Sequence, residues 1–488
     1  MELLSPAGNI EKLKYAYMYG ADASYIGLKK FSLRVKADNF YEDEYKKIID
    51  LKAQYPEKKL HCALNISFHN NELDNFIKEI PYFQQYPIDA FIVQDLGIVP
   101  LIKKHFPKAA LHLSTQASCM NREAVKMYKS IGFDRVVMGR EASLKEIAEI
   151  KNAVPDMEIE CFVHGAMCIA YAGRCLMSAY LNGRSAQSGF CSHTCRWDYD
   201  LLAKEGVDFG KTLAQSGQLV LREHKRPDEY FPVYEGDNFT AVLSSKDLCM
   251  IDHLEELKNA GVDSLKIEGR MKSVYYVALI TRAYRKALDA LEGKISKEES
   301  KPFEKELYEA SHRAYATGFY FNREDADVTV TGASDSAWDL AATVGDKLNT
   351  EQMAEVINLG EKLKIDRQQK YDALCPQAKE AHKRAMEANP DRELPAVFEK
   401  SGWHMYKIKA LNMINKESVL QIVTPNVASI DLPGEDRFFV NPETGEIYNW
   451  VCDGHPCVLY TKYELEDGAL IRSFDKEFEE GKVRDTGR

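Results

Sequence analysis

The sequence predicts an α/β chain: a TIM-like (β/α) barrel that carries a cysteine-rich loop and an insertion, followed by a small C-terminal β domain. Two observations carry this prediction. Eight short apolar runs recur through residues 1–290, with helix-length amphipathic stretches between most of them, and eight parallel strands is the number that closes a barrel. No Gly-x-Gly-x-x-Gly fingerprint follows an early run, which counts against the rival arrangement, an open doubly wound sheet.

The runs occupy residues 2–5, 24–28, 60–66, 90–94, 110–114, 135–138, 159–163 and 265–267. Their length and their Val, Ile, Leu and Ala content suit buried strands. Residues 9–19, 121–131 and 143–153 repeat apolar side chains at three- and four-residue spacing, and Gly20, Gly132 and Gly261 stop helices before the next run. Polar residues just past each strand of such a barrel gather at one face, where chemistry is done. Here they are Ser5, Asn65, Gln94, Asp95, Ser114, Gln116, Arg140, Glu141, His164, Glu268 and Arg270. Some are expected to cap helices. As a set they describe a polar mouth suited to a small anionic or polyhydroxylated ligand.

The seventh run ends at His164, and the eighth begins only at residue 265. Between them the sequence places the cysteine loop (165–196), a strand-rich insertion (197–245) and a helix near 247–260. The predicted domains are a barrel over 1–295, a helical extension over 296–400 and a small β-barrel-like domain over 401–488. Residues 350–390 are charged with a helical period, Asn389-Pro390 marks a break, and 403–475 alternate in short strands with turns such as Pro442-Glu-Thr-Gly445.

Hydrophobic content of 45% and charged content of 28% are ordinary for a globular chain. The first residues lack a basic start with a long apolar run, and no stretch approaches the roughly 18 apolar residues of a membrane helix. The expectation is a soluble cytoplasmic protein with no membrane partner. A net charge of −11 disfavours a broad phosphate-binding face, so any RNA contact must be local. Arg222, His224, Lys225 and Arg226 precede Tyr230 and Phe231, joining charge to aromatic faces as unpaired nucleotides require. A second basic run spans residues 266–272.

Eleven cysteines need an account, since disulfides are disfavoured in the cytoplasm. Cys62, Cys119, Cys249, Cys375, Cys452 and Cys457 are scattered, as small core hydrophobes usually are. The other five fall within 35 residues. Cys161 lies inside the seventh run and reads as core. The rest follow the pattern Cys168, six residues, Cys175, fifteen, Cys191, three, Cys195. Structural zinc favours tight Cys-x-x-Cys pairs. Longer irregular spacing fits a [4Fe–4S] cluster better, with zinc and plain thiol chemistry as the rival readings. Cys249, predicted to open a helix, is the alternative to Cys195 as fourth ligand. Gly165, Gly173, Gly183 and Gly189 permit the left-handed turns of a wrapped loop. Arg174, Arg184 and Arg196 add positive charge.

The segment Glu160-Cys-Phe-Val-His-Gly-Ala-Met-Cys168-Ile-Ala-Tyr-Ala-Gly-Arg-Cys175-Leu-Met-Ser178 resembles the signature of the collagenase-like peptidase family U32, a class named for its unknown catalytic type. Glu160, Phe162, Gly165, Cys168, Gly173, Cys175 and Ser178 fall in register with it. So do Cys191-Ser-His-Thr-Cys195-Arg-Trp197, Lys225-Arg-Pro-Asp-Glu-Tyr230, Ser244-Ser-Lys-Asp-Leu248 and Lys266-Ile-Glu-Gly-Arg-Met-Lys272. Residues 1–322 are similar throughout, 403–475 more loosely, and 325–400 scarcely. The Cys-Arg-Trp and Arg-Pro-x-Glu-Tyr segments look most like the branch that hydroxylates tRNA. Ala172, where serine is commoner, departs from the pattern.

The resemblance implies an oxygen-independent hydroxylation of the tRNA wobble uridine to 5-hydroxyuridine. It also implies a [4Fe–4S] cluster on Cys168, Cys175, Cys191 and Cys195, and prephenate as candidate hydroxyl donor. Relatives in the family hydroxylate 23S ribosomal RNA or ubiquinone precursors. His164, Glu160, Arg140, Arg270 and Glu268 are the candidate catalytic residues. Arg140 and Arg270 are suited to two-point gripping of a small anionic donor, unless Glu141 and Glu268 occupy them as ion pairs. A peptidase is the runner-up: His164 lies four residues before Cys168 and is the candidate base for a thiolate, whereas the His-Glu-x-x-His of a zinc peptidase is absent. A third reading is a non-catalytic RNA-binding protein with a structural metal.

Overall fold

The computed structural model describes residues 1–28, 31–32, 39–40, 43–168, 170–182, 184–188, 191–196, 245–322, 336–389 and 393–475, with short strand pieces at 220–222, 230–232, 234–235 and 240–241. It divides into two units, Met1–Asp335 and Ser336–Arg488. Among the described residues no helix is long and apolar enough to cross a membrane.

The first unit is the eight-stranded parallel barrel that the apolar runs predict. Strands β1 (Glu2–Pro6), β2 (Ala23–Ile26), β3 (Lys59–Leu64), β4 (Ala90–Val93), β5 (Ala110–Leu113), β6 (Arg135–Val137) and β7 (Glu158–Ala166) pair in order. The closing strand, Ser264–Ile267, pairs with both β7 and β1 and completes the ring. Helices start where the sequence supplies caps. Asn9, Asn121, Ser143 and Ser273 each accept the backbone N–H three residues on, an interaction of about 1 kcal/mol at each helix start.

The lumen is unusually polar at its centre. Glu160, wholly buried on β7, receives Lys266 Nζ at 2.6 Å and Arg135 Nη1 at 2.9 Å. Arg135 also reaches Glu2 at 2.5 Å and Glu158 at 2.7 Å. His61 and His112 meet edge to face beside them, ring centroids 4.8 Å apart. Burial alone would raise the Glu160 carboxyl. The Lys266 and Arg135 cations outweigh it and hold the group down at about 2.

Three features differ from the sequence expectation. Cys249 does not open a helix: it ends the strand Asp247–Cys249, which runs antiparallel to β7 with Cys249 opposite His164. The buried ion pair of Asp247 with Arg313, 2.5 Å, fixes that strand, and the helix begins later, at Leu254–Asn259. Beyond residue 295, helix Lys297–Leu307 packs on the long helix Val274–Leu291 through the buried Arg282–Glu306 pair, so it belongs to the barrel unit. The chain then returns as the short strand Tyr315–Ala316, parallel to Asp247–Cys249. The domain division falls after Asp335, not at 295 and 400. Trp338–Lys347, inside the expected helical extension, is a central strand of the second unit's sheet.

That unit is an open antiparallel half-barrel of seven strands over a core that includes Ala342, Ile422, Leu459 and Ile471. Helix Thr350–Asp372 lays Val356 and Ile357 against Val397, Val440 and Tyr460. Gly360 is required there, since a Cβ would lie 2.4 Å from the Val397 carbonyl oxygen. Helix Pro376–Ala388 buries no residue.

Replacing Glu160 with Gln should leave two buried cations short of a carboxylate and cost ~3–5 kcal/mol. Urea unfolding should show a lower midpoint with an unchanged slope; a wild-type midpoint would mean the lumen network contributes nothing net.

Candidate active site

A cavity opens at the C-terminal end of the barrel, and the cysteine loop roofs it. Its wall includes Asn65, Ser114, Gln116, Arg140, Glu141, Glu268 and Arg270 from the strand ends, together with Cys168, Cys175, Cys191 and Cys195. Residues predicted at the mouth from separate segments are thus brought together. Others are not. Ser5 is buried against Thr281, 2.6 Å away, while Gln94 bonds Ser67 and Asp95 caps the turn at Gly97.

The loop is tied down at its base. Arg140 Nη1 donates to the Ala166 carbonyl at 2.8 Å, and Ser118 donates to that of Ala172. Gln187 Nε2 donates to the carbonyls of Gly173 and Cys175 at 3.2 and 2.9 Å. Two glycines allow the path. Gly165 (φ +106°) passes where a Cβ would lie 2.6 Å from the Glu268 carbonyl oxygen, and Gly173 (φ +73°) where it would lie 2.1 Å from that of Gln116. Gly183 and Gly189 lie outside the described residues.

All four loop thiols are free of disulfides. Among the described residues the one convergent group of three potential ligands is His61, His112 and Glu160, whose ligand atoms lie within 4.8 Å of one another. Tetrahedral zinc, with Zn–S bonds of about 2.3 Å, needs sulfurs about 3.8 Å apart. Four thiols around one cavity are a donor set that zinc and an iron–sulfur cluster both accept. At His61, His112 and Glu160 a dication would face Lys266 and Arg135, which already occupy both Glu160 oxygens. Cys249, buried with Sγ 4.0 Å from the Tyr284 hydroxyl, does not line the cavity.

The floor is cationic and aromatic. Lys266 lines it with Nζ 4.5 Å from the Tyr25 ring centroid, and the Arg140 guanidinium lies 3.9 Å from that of Phe162. Arg140 reaches Glu268 only at 3.8 Å. Arg270, 3% exposed, donates to Ser32 at 3.1 Å. Burial raises the Glu141 carboxyl above its ordinary range, and its Oε2 is buried with no hydrogen-bond partner. Sequence reasoning counted Lys266 in a basic run and offered Glu141 only as a mouth residue and ion-pair partner of Arg140. A lysine two residues before Glu268 in the closing strand shares its inward face, and that parity was the available signal for Lys266.

Two candidate catalytic residues sit elsewhere. Glu160 lies beneath the floor in the lumen network. His164 is caged by Tyr276, Tyr284 and Tyr315, with Nε2 3.2 Å from the Tyr315 hydroxyl. It does not line the cavity that Cys168 faces, so the thiolate–imidazole pairing of a cysteine peptidase is not formed between them. Of the predicted RNA surface, Val220–Arg222 pairs with Tyr230–Pro232 as a short hairpin; His224, Lys225 and Arg226 lie outside the described residues.

A parallel barrel whose catalytic face is roofed by a thiol-bearing loop defines a barrel enzyme with a cysteine-lined centre. The chain belongs to peptidase family U32, whose profile matches residues 8–329. It is 40% identical over 341 residues to tRNA hydroxylation protein P of Escherichia coli, covering 65% of this chain and 74% of that protein. It is 38% identical over 385 residues to the Haemophilus influenzae protein of the same name, covering 73% and 82%. The Escherichia coli 23S rRNA 5-hydroxycytidine C2501 synthase is 34% identical over 354 residues, covering 71% of this chain and 48% of that protein.

Burial holds His61 down at about 4 and His164 at about 3. Both must stay neutral in the folded protein, while the unfolded chain protonates them below about 6.5. Stability is therefore full above that pH and falls as pH drops toward 4, each histidine costing about 1.4 kcal/mol per pH unit. Thermal melts from pH 7.5 to 4.5 should show this decline, and His164→Gln should flatten it.

Proposed function

We propose that this chain hydroxylates tRNA without molecular oxygen, converting the wobble uridine to 5-hydroxyuridine. The observation that carries the proposal is that four thiols outside any disulfide and three buried or half-buried cations, Arg140, Lys266 and Arg270, line one cavity at the C-terminal face of the barrel. The tRNA hydroxylation proteins it resembles support the reaction class.

In this reading Cys168, Cys175, Cys191 and Cys195 hold a [4Fe–4S] cluster, with Cys195 preferred to Cys249 because of the two it alone lines the cavity. When bound, the cluster supplies a redox and Lewis-acid centre. The chain's own residues supply the rest. Arg140 and Arg270 offer planar forks for the carboxylates of a donor such as prephenate, and Lys266 adds a fixed charge held in place by Glu160. Tyr25 and Phe162 present apolar faces that exclude water beside those charges. Replacing the uridine C5 hydrogen with a hydroxyl removes two electrons and a proton from the base: the donor's C–O bond breaks as the C5–O bond forms, the donor leaves reduced by those two electrons, and the proton needs an acceptor. Glu141, a cavity-lining carboxylate whose affinity for a proton is raised by burial, is the group we assign to accept it.

Expression in a bacterial strain lacking 5-hydroxyuridine, followed by nucleoside analysis of its tRNA, tests the reaction. Wild type should restore the nucleoside. Cys195→Ala should lose iron and product together, whereas Cys249→Ala should keep both; the reverse pattern would move the fourth ligand. Arg140→Lys and Arg270→Lys should each weaken prephenate binding by roughly 10-fold, because a point charge cannot reproduce a two-point hydrogen bond. Equal affinity in both would remove the arginines from the donor site.

A further inference from the structure

The outer face of the cysteine loop has a character unlike the rest of the chain. From Cys161 to Trp197 there is no Asp or Glu and there are three arginines, in a protein of net charge −11 with 75 acidic residues. Over the same stretch Tyr171 (54% exposed), Leu176 (70%), Tyr180 (88%) and Leu181 (45%) face outward. These are four of the eleven large exposed apolar side chains of the first unit among the described residues. A cluster's own negative charge would account for the missing carboxylates. It does not account for a tyrosine and a leucine left largely in water.

The face is built rather than loose. Helix Met177–Asn182 carries Tyr180 and is anchored by Ser178, whose buried hydroxyl lies 2.9 Å from that of Ser192 and accepts the Ser192 N–H at 3.1 Å. Arg174 and Arg184 are both exposed on the same loop. Tyr171 belongs to two surfaces at once: it lines the cavity and is half in solvent.

We infer that this face is where an unpaired RNA segment docks, with bases stacked on Tyr180 and Tyr171 and phosphates met by Arg174 and Arg184. The inference rests on the tRNA hydroxylation proposed for the cavity and adds the surface that the reaction needs. Aromatic planes interleaved with cations are how single strands are held without sequence readout. A base destined for the cavity must leave its stack and find another on the way in, and Tyr171 stands at the rim it would cross. A protein partner seated on this face would cover the entrance that a nucleotide needs.

The test uses the full-length, iron-loaded protein and an anticodon stem-loop RNA. Tyr180→Ala and Tyr171→Ala should each weaken binding by about 10-fold, the scale of one base stack, while Tyr180→Trp should bind like wild type. In Arg174→Gln/Arg184→Gln the slope of log affinity against log salt should shrink by about 0.7 for each phosphate no longer neutralised. Iron content should not change. Wild-type affinity and slope in all of these variants would overturn the inference. So would a change of oligomeric state with RNA affinity intact, which would mark a protein interface, or equal weakening in Tyr180→Trp, which would mark a packing role. RNA bound through these residues with no 5-hydroxyuridine formed by wild type would fail the proposed reaction and leave the surface standing. Product formed equally by wild type and by stack-deficient variants would do the opposite.

Discussion

The barrel is organised around one buried carboxylate. Glu160 sits at full burial on β7 between a lysine from the closing strand and an arginine from β6, and that arginine reaches on to Glu2 of β1. Charges at such depth are tolerated only when every partner is present. The network therefore ties four strands to a single register, two of them the pair that closes the ring. It also decides what lies above: with Lys266 held by Glu160, the cavity floor keeps a positive charge that no counterion at the mouth has to balance.

The cysteine loop depends on that frame. Its thiols face the cavity because the stem is pinned to strand ends at Ala166 and Ala172 and because two glycines let backbone pass against backbone. Side chains that point inward from the barrel and side chains that hang from the loop meet in the same space, although well over a hundred residues of chain separate Asn65 from Cys195. Cation–aromatic pairs at Lys266–Tyr25 and Arg140–Phe162 keep the charges on the floor rather than in solvent.

Much of this was legible in the sequence, for physical reasons. Parallel strands covered by helices read as apolar runs, so all eight positions could be located within a few residues. The four thiols could be grouped by their density alone. What escaped was set by interactions between distant segments. Cys249 belongs to a strand because Asp247 meets Arg313, 66 residues on. Trp338–Lys347 was hidden by the long helices that follow it. His164 follows the strand alternation yet is claimed by three tyrosines from two later elements, which no local pattern announces. Lys266 was counted with the basic run of its own segment, although its parity in the strand placed it inside.

The excursion between β7 and the closing strand bears on how the molecule comes to exist. Residues 167–263 must be made before Ser264–Ile267 can complete the ring, and the entropy of joining ends so far apart grows only as the logarithm of the span, though such non-local pairing is slow. During synthesis the seven earlier strands emerge with their edges at β1 and β7 unsealed, and all four loop thiols are already available. The interval before closure is thus one in which the future roof of the cavity has been made and the ring beneath it has not. The order in which the ribosome releases the chain puts the roof ahead of the frame it rests on.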